Sequence, residues 1–194
     1  MLGAGLDTFA YRHPLATRLK VFEVDHPATQ AWKRRRLAET AVAAPDTLTY
    51  APVDFERDRL LDGLTAAGFD PNARALLHLA GRRALPDRSG DPFEVCRPSP
   101  ACGTAPRWCS TIPTHHGPWR RNTRPGMRER ARSVAALGEP WLSHFEPANL
   151  RTLLLSLGYA TVEDLGPAEL VERYLSGAGG SAPKRGGHVV FART

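Results

Sequence analysis

The 194 residues are 42% hydrophobic and carry a formal net charge of +6, which suffices for one buried core and is too short for two full-sized domains. No run of about 18 apolar residues occurs, and the first eleven residues lack the basic and apolar regions of a secretory signal, so the chain is expected to be soluble and cytoplasmic, with no membrane partner. The charge is unevenly spread: residues 74–130 hold 11 arginines against 4 acids, all three cysteines and 8 of the 17 prolines, while the remainder holds 15 bases and 16 acids.

In chain order, Met1-Leu2 is the stub of an apolar strand that runs into Gly3-Ala4-Gly5-Leu6-Asp7-Thr8, a small-residue turn with helix-starting chemistry behind it. Val21-Phe22-Glu23-Val24-Asp25 is rich in β-branched and aromatic residues and ends in acid. Pro27 then opens a helix expected over 27–38. Tyr50-Ala51-Pro52-Val53-Asp54-Phe55 is a third short strand candidate, again with an acid near its end, followed by an amphipathic helix over 58–67 that Gly68 stops. Beyond the basic window, residues 131–137 predict a short helix and 147–157 a helix closed by Gly158. Residues 160–165 and 188–192 predict two final strands forming an antiparallel edge pair, joined by a glycine-rich loop over 177–187. The alternation implies an α/β fold with a doubly wound, mostly parallel sheet.

In such a sheet, ligands bind beyond the carboxyl ends of the strands. Gly3, Asp25 and Asp54 would share that edge. Glycines let the backbone approach a ligand closely, and the next helix start offers N–H groups to an anion. An acid after the second strand can accept from both hydroxyls of a ribose, and one after the third can accept from an adenine amino group. Glu23 and Asp25 project to the same side of their strand. Either can reach the ribose, and Asp25, at the strand's end, is the better placed. The bland alternatives are solvated acids at Glu23 and Asp25, and a helix N-cap at Asp54.

The run from Leu2 to Arg12, then Val21-Phe22-Glu23-Val24-Asp25-His26-Pro27, then Pro52-Val53-Asp54-Phe55, resembles the leucine carboxyl methyltransferase-like family, in particular its bacterial, actinobacterial branch of S-adenosylmethionine-dependent methyltransferases. Gly138-Glu139-Pro140-Trp141-Leu142-Ser143-His144-Phe145-Glu146-Pro147 is similar to that family's C-terminal part. The resemblance implies a class I methyltransferase-like (Rossmann-like) fold with S-adenosylmethionine as cofactor. By motif position, Gly3 and Gly5 hold its methionine part, Glu23 or Asp25 its ribose, and Asp54, with Phe55 beside it, its adenine. Arg12 is placed to pair with the cofactor carboxylate, because arginine makes bidentate contacts with carboxylates; its alternative is a solvated surface arginine. The implied reaction is methylation of an oxygen or carboxylate of a small molecule. Such in-line transfer needs alignment more than a strong base, and no catalytic residue is singled out.

One domain is therefore expected, with a cofactor-binding half at 1–73, an aberrant basic segment at 74–130 and the rest of the sheet at 131–194. Two departures from the family predict impaired cofactor binding: the first strand is short, and the stretch from Leu76 to Pro86 shows no strand alternation where a fourth strand belongs. A displaced reading frame accounts for the middle best, since residues 76–95, 102–117 and 117–127, back-translated and read out of frame, can yield in turn a strand with its loop, an apolar strand and a helix start. The segment reads otherwise as disordered. Zinc binding by Cys96, Cys102, Cys109, His115 and His116 is disfavoured, because the close ligand pairs of structural sites are missing. The competing functional readings are a noncatalytic nucleic-acid binder using the arginines with Trp108 and Trp119, for which no specific partner is expected, and an inactive gene remnant.

Overall fold

The computed structural model describes residues 1–73, 75–79, 107–112, 129, 132–133, 136, 146–175 and 188–193. Strand β1 (Val21–Asp25) pairs in parallel with β2 (Leu48–Pro52), Val21 opposite Leu48 and Asp25 opposite Pro52. Strand β3 (Leu76–Leu79) pairs in parallel with β4 (Arg107–Ile112). β6 (His188–Arg193) lies antiparallel between β4 and β5 (Thr161–Leu165), which forms the edge. The two groups of strands are joined through the first residues. Leu2 makes a parallel bridge to Val24, the Val24 amide donates to the Met1 carbonyl at 2.8 Å, and the Leu2 amide donates to the His78 carbonyl at 2.7 Å. The spatial order is therefore β2-β1-(Leu2)-β3-β4-β6-β5, an α/β sheet of the doubly wound kind in which the residues around Leu2 take the central position.

The glycine turn leads into a four-residue helix, α1 (Phe9–Arg12), which His13-Pro14 ends before a 3₁₀ turn over Pro14–Arg18. Helix α2 (Pro27–Glu39) follows β1, α3 (Leu60–Ala66) follows β2, α4 (Pro147–Ser156) precedes β5 and α5 (Pro167–Tyr174) follows it. One face of the sheet is apolar: Leu2, Val24, Ala51, Val53, Leu77, Val162, Val190 and Ala192 pack with Leu64 of α3, Leu150 and Leu154 of α4, and Tyr159. At β1 and β2 the opposite face carries Glu23 among Val21, Leu48 and Tyr50. There α2 buries Gln30 and Lys33, one helical turn apart, against Glu23. The Gln30 amide nitrogen donates to the carbonyls of Glu23 and Ala51, at 2.9 and 3.1 Å, pinning the helix across both strands.

Three expectations change. The third strand ends at Pro52, and residues 53–58 form a turn in which the amides of Arg57 and Asp58 donate to the Asp54 carbonyl, so the helix starts at Leu60. The stretch expected to hold no strand contains β3. Bonded to Leu2 on one side and β4 on the other, Leu76-Leu77-His78-Leu79 is an interior strand defined by its backbone pairing, and its apolar run does not follow burial: Leu77 is buried while Leu76 is exposed. Strand β4 likewise lies inside the window expected to be aberrant. The rest of that window lies almost wholly outside the described residues, as do His144 and the loop over 177–187; so do the side chains of the cysteines, of His115 and His116, and of Trp108 and Trp119. Only positions 129, 132, 133 and 136 around the expected 131–137 helix are described.

Candidate functional site

The glycine turn leaves the central stub at the carboxyl edge of β1 and β2. Gly3 and Gly5 have φ values of 63° and 47°, left-handed conformations that L side chains rarely adopt. At Gly5 space is not the constraint, since an added Cβ would meet only Gly3 O at 3.9 Å and Asp25 Oδ2 at 4.0 Å. The backbone conformation itself calls for glycine there. The turn is closed by the Asp7 amide donating to the Ala4 carbonyl at 2.8 Å, and the Asp7 carboxylate starts α1 by accepting from the Phe9 amide at 2.6 Å.

Asp25 ties this turn to the end of β1. Its Oδ2 accepts from the Gly5 amide at 2.5 Å and its Oδ1 from the His26 amide at 2.7 Å. Each oxygen keeps lone-pair capacity, and the side chain is half-buried, so it can accept further hydrogen bonds from the solvent side. Across the edge, Asp54 Oδ1 accepts from the Glu56 amide at 3.0 Å, and its Oδ2 lies 3.6 Å from Arg57 Nε and 3.9 Å from His26 Nε2. His26 caps α2 by accepting from the Ala28 amide on Nδ1 at 3.2 Å. In the neutral ring that places the proton on Nε2, toward Asp54. Phe55 is half-buried and packs against the apolar core, and Arg12 is exposed at the end of α1.

Glu23 occupies a different environment from the other candidates. It is 1% exposed, beneath α2, with Oε2 on Lys33 Nζ at 2.7 Å and Oε1 buried without a hydrogen-bond partner. Burial pushes its carboxyl above the usual glutamate range, against the opposing pull of Lys33. Tyr50, opposite Glu23 in the β1–β2 register, is hydrogen-bonded through its hydroxyl to the hydroxyl of Tyr11, and Arg34 lies over its ring at 5.2 Å. Burial, and then the bond to Tyr50, push the Tyr11 phenol up. The structure thus gathers Gly3, Gly5, Asp25 and Asp54 at one edge and sets Glu23 below it. Sequence reasoning did not single out Lys33, Tyr11, Tyr50 or His26. Of these only His26 left a signal, as a polar residue ahead of the helix-opening Pro27.

Residues 1–83 match the family described as leucine carboxyl methyltransferase. The chain is 32% identical over 182 residues to "Putative S-adenosyl-L-methionine-dependent methyltransferase YktD" of Bacillus subtilis (strain 168), covering 91% of this chain and 58% of that protein. It is 42% identical over 69 residues to "Putative S-adenosyl-L-methionine-dependent methyltransferase" of Mycolicibacterium gilvum (strain PYR-GCK), covering 36% and 28%. The chain thus spans less than two thirds of the length of these relatives. The crystal structure of the S-adenosylmethionine-dependent methyltransferase SibL in its apo form aligns with 99% of this chain and 49% of its own at 15% identity and a TM-score of 0.48. The matches in sequence uphold the resemblance to the methyltransferases.

Proposed function

We propose that the chain acts as an S-adenosylmethionine-dependent methyltransferase on an oxygen, including a carboxylate oxygen, of a small molecule. The observation that carries this reading is the bond from the Gly5 amide to Asp25, which holds a bare glycine turn and a half-exposed carboxylate together at the carboxyl edge. The residues fit the cofactor. Gly3 and Gly5 leave room for the methionine part, Asp25 has lone pairs for the ribose hydroxyls, and Asp54 stands on the next strand's loop for the adenine amino group, with Phe55 beside it. Arg12, at the end of α1, is assigned to the cofactor carboxylate. When bound, the cofactor supplies an electrophilic methyl group on a sulfonium. The protein's part is to bind, orient and exclude water, which in a reaction governed by alignment is the larger share of catalysis. Similarity to YktD over most of this chain supports the reading. Among the described residues no helix is long and apolar enough to cross a membrane.

Calorimetric titration of the full chain with S-adenosylmethionine and with S-adenosylhomocysteine tests it. Both are expected to bind, and Asp25→Ala is expected to weaken binding by about tenfold to a hundredfold, since a lost charge-assisted hydrogen bond is worth about 1.5–3 kcal/mol. No heat from either ligand, or affinity unchanged by Asp25→Ala, sinks the assignment.

A further inference from the structure

Lys33 is a cation 4% exposed in a protein whose other basic side chains on the same helix are solvated. Three groups surround its ammonium: Glu23 Oε2 at 2.7 Å, the Asp7 carbonyl oxygen at 2.7 Å and the ring of Tyr11, whose centroid is 5.3 Å away. Two of them belong to the glycine turn and the helix leaving it, and the third to β1. One side chain from α2 therefore grips both the turn and the helix that follows, and rests on a carboxylate fixed in the sheet. Stability is a weak reason for such an arrangement, because removing two charges from water costs about what their attraction returns, and apolar pairs of similar volume are often as stable. Asp25 holds the turn from the ligand side through Gly5, and Lys33 holds it from beneath through Asp7.

Building on the methyltransferase reading above, we infer that Lys33 is the positioning residue of the glycine turn and that Glu23 serves as its buried anchor rather than as a contact to the ribose. Lys33 touches no ligand in this arrangement. It acts through the Asp7 carbonyl and Tyr11, fixing the backbone between Gly3 and Asp7 in the shape that accepts the cofactor. The ribose role then falls to Asp25 alone.

The test compares the unaltered full chain with Lys33→Met and with the double variant Glu23→Leu, Lys33→Met, in which no charge is left buried and unpaired. Two quantities are read: affinity for S-adenosylhomocysteine by calorimetry, and amide hydrogen exchange in the ligand-free proteins. The double variant is expected to stay folded, with the Val53 amide, which bonds to the Asp25 carbonyl, as protected as before. The amides of Gly5 and Asp7 should exchange at least tenfold faster, and affinity should fall by tenfold or more. Unchanged protection at Gly5 and Asp7 in the folded double variant, or unchanged affinity, overturns the inference. If the unaltered chain binds no S-adenosylhomocysteine, the cofactor reading fails on that arm, while the exchange arm still decides whether Lys33 holds the turn.

Discussion

Glu23 shows what a carboxylate undergoes when a strand places it under a helix instead of at the strand's end. Its folded-state pKa lies above the ordinary value of 4.5, chiefly through burial. The folded protein therefore keeps this proton to higher pH than the unfolded chain does. The stability contributed by the group is full below 4.5 and is lost as pH rises through the raised folded value. Denaturant unfolding across a pH series should show the wild type losing stability relative to Glu23→Gln over that window, with a slope of at most about 1.4 kcal/mol per pH unit for one proton. Parallel curves would mean that Glu23 stays ionised throughout. Asp25, two residues on and on the same side of the strand, is half-exposed and bonded to two amides. Pleat alternation gives the two acids a shared side, and that much the sequence could express. Which of them α2 covers depends on where Lys33 lands, and a lysine followed by three arginines reads as part of a solvated face.

Helix α3 meets β2 through a close approach that the sequence does not advertise. A Cβ at Gly63 would stand 2.4 Å from Val53 Cγ2, and Val53 is fully buried with a stiff, β-branched side chain. In an exposed helix Gly→Ala gains about 1 kcal/mol. Here overpacking should prevail, and Gly63→Ala is expected to destabilise by about 1–3 kcal/mol. Thermal or urea unfolding checks this, and adding Val53→Ala should recover part of the loss, giving a coupling of about 0.5–3 kcal/mol. Elements that declare themselves locally were legible. Strand β1 was read to the residue, and α4 to its last turn before Gly158, whose φ of 102° suits a glycine stop. The elements defined by their neighbours were not. Strand β3 is held by backbone pairing on both edges while exposing Leu76 and burying Leu77, a contrast that two adjacent leucines do not express, and α2 docks through Gln30 and Lys33, so its buried face carries no apolar stripe.

At the scale of the whole molecule, β1 and β2 connect to β3, β4, β6 and β5 through the residues around Leu2. That side chain is 1% exposed and sits in the apolar cluster with Val24 and Leu77. Leu2→Ala should cost about 2–5 kcal/mol, as large-to-small changes in cores do. Because Leu2 is followed directly by the glycine turn, affinity for S-adenosylhomocysteine should fall as well. Urea unfolding monitored beside ligand titration distinguishes the outcomes: a loss of less than 1 kcal/mol would show that the seam carries little of the fold's stability.

The same seam sets an order of events during synthesis. Residues 1–4 leave the ribosome before any of their partners, yet their hydrogen bonds are to residues around Phe22 and Val24 on one side and to His78 on the other. Until residue 78 has emerged, the segment around Leu2 can pair with β1 while the Leu2 amide on the other side lacks its acceptor, the His78 carbonyl. An unpaired edge of this kind is a template for a second nascent chain. Closure of the sheet between β1 and β3 therefore waits for residue 78, whose carbonyl accepts from the Leu2 amide.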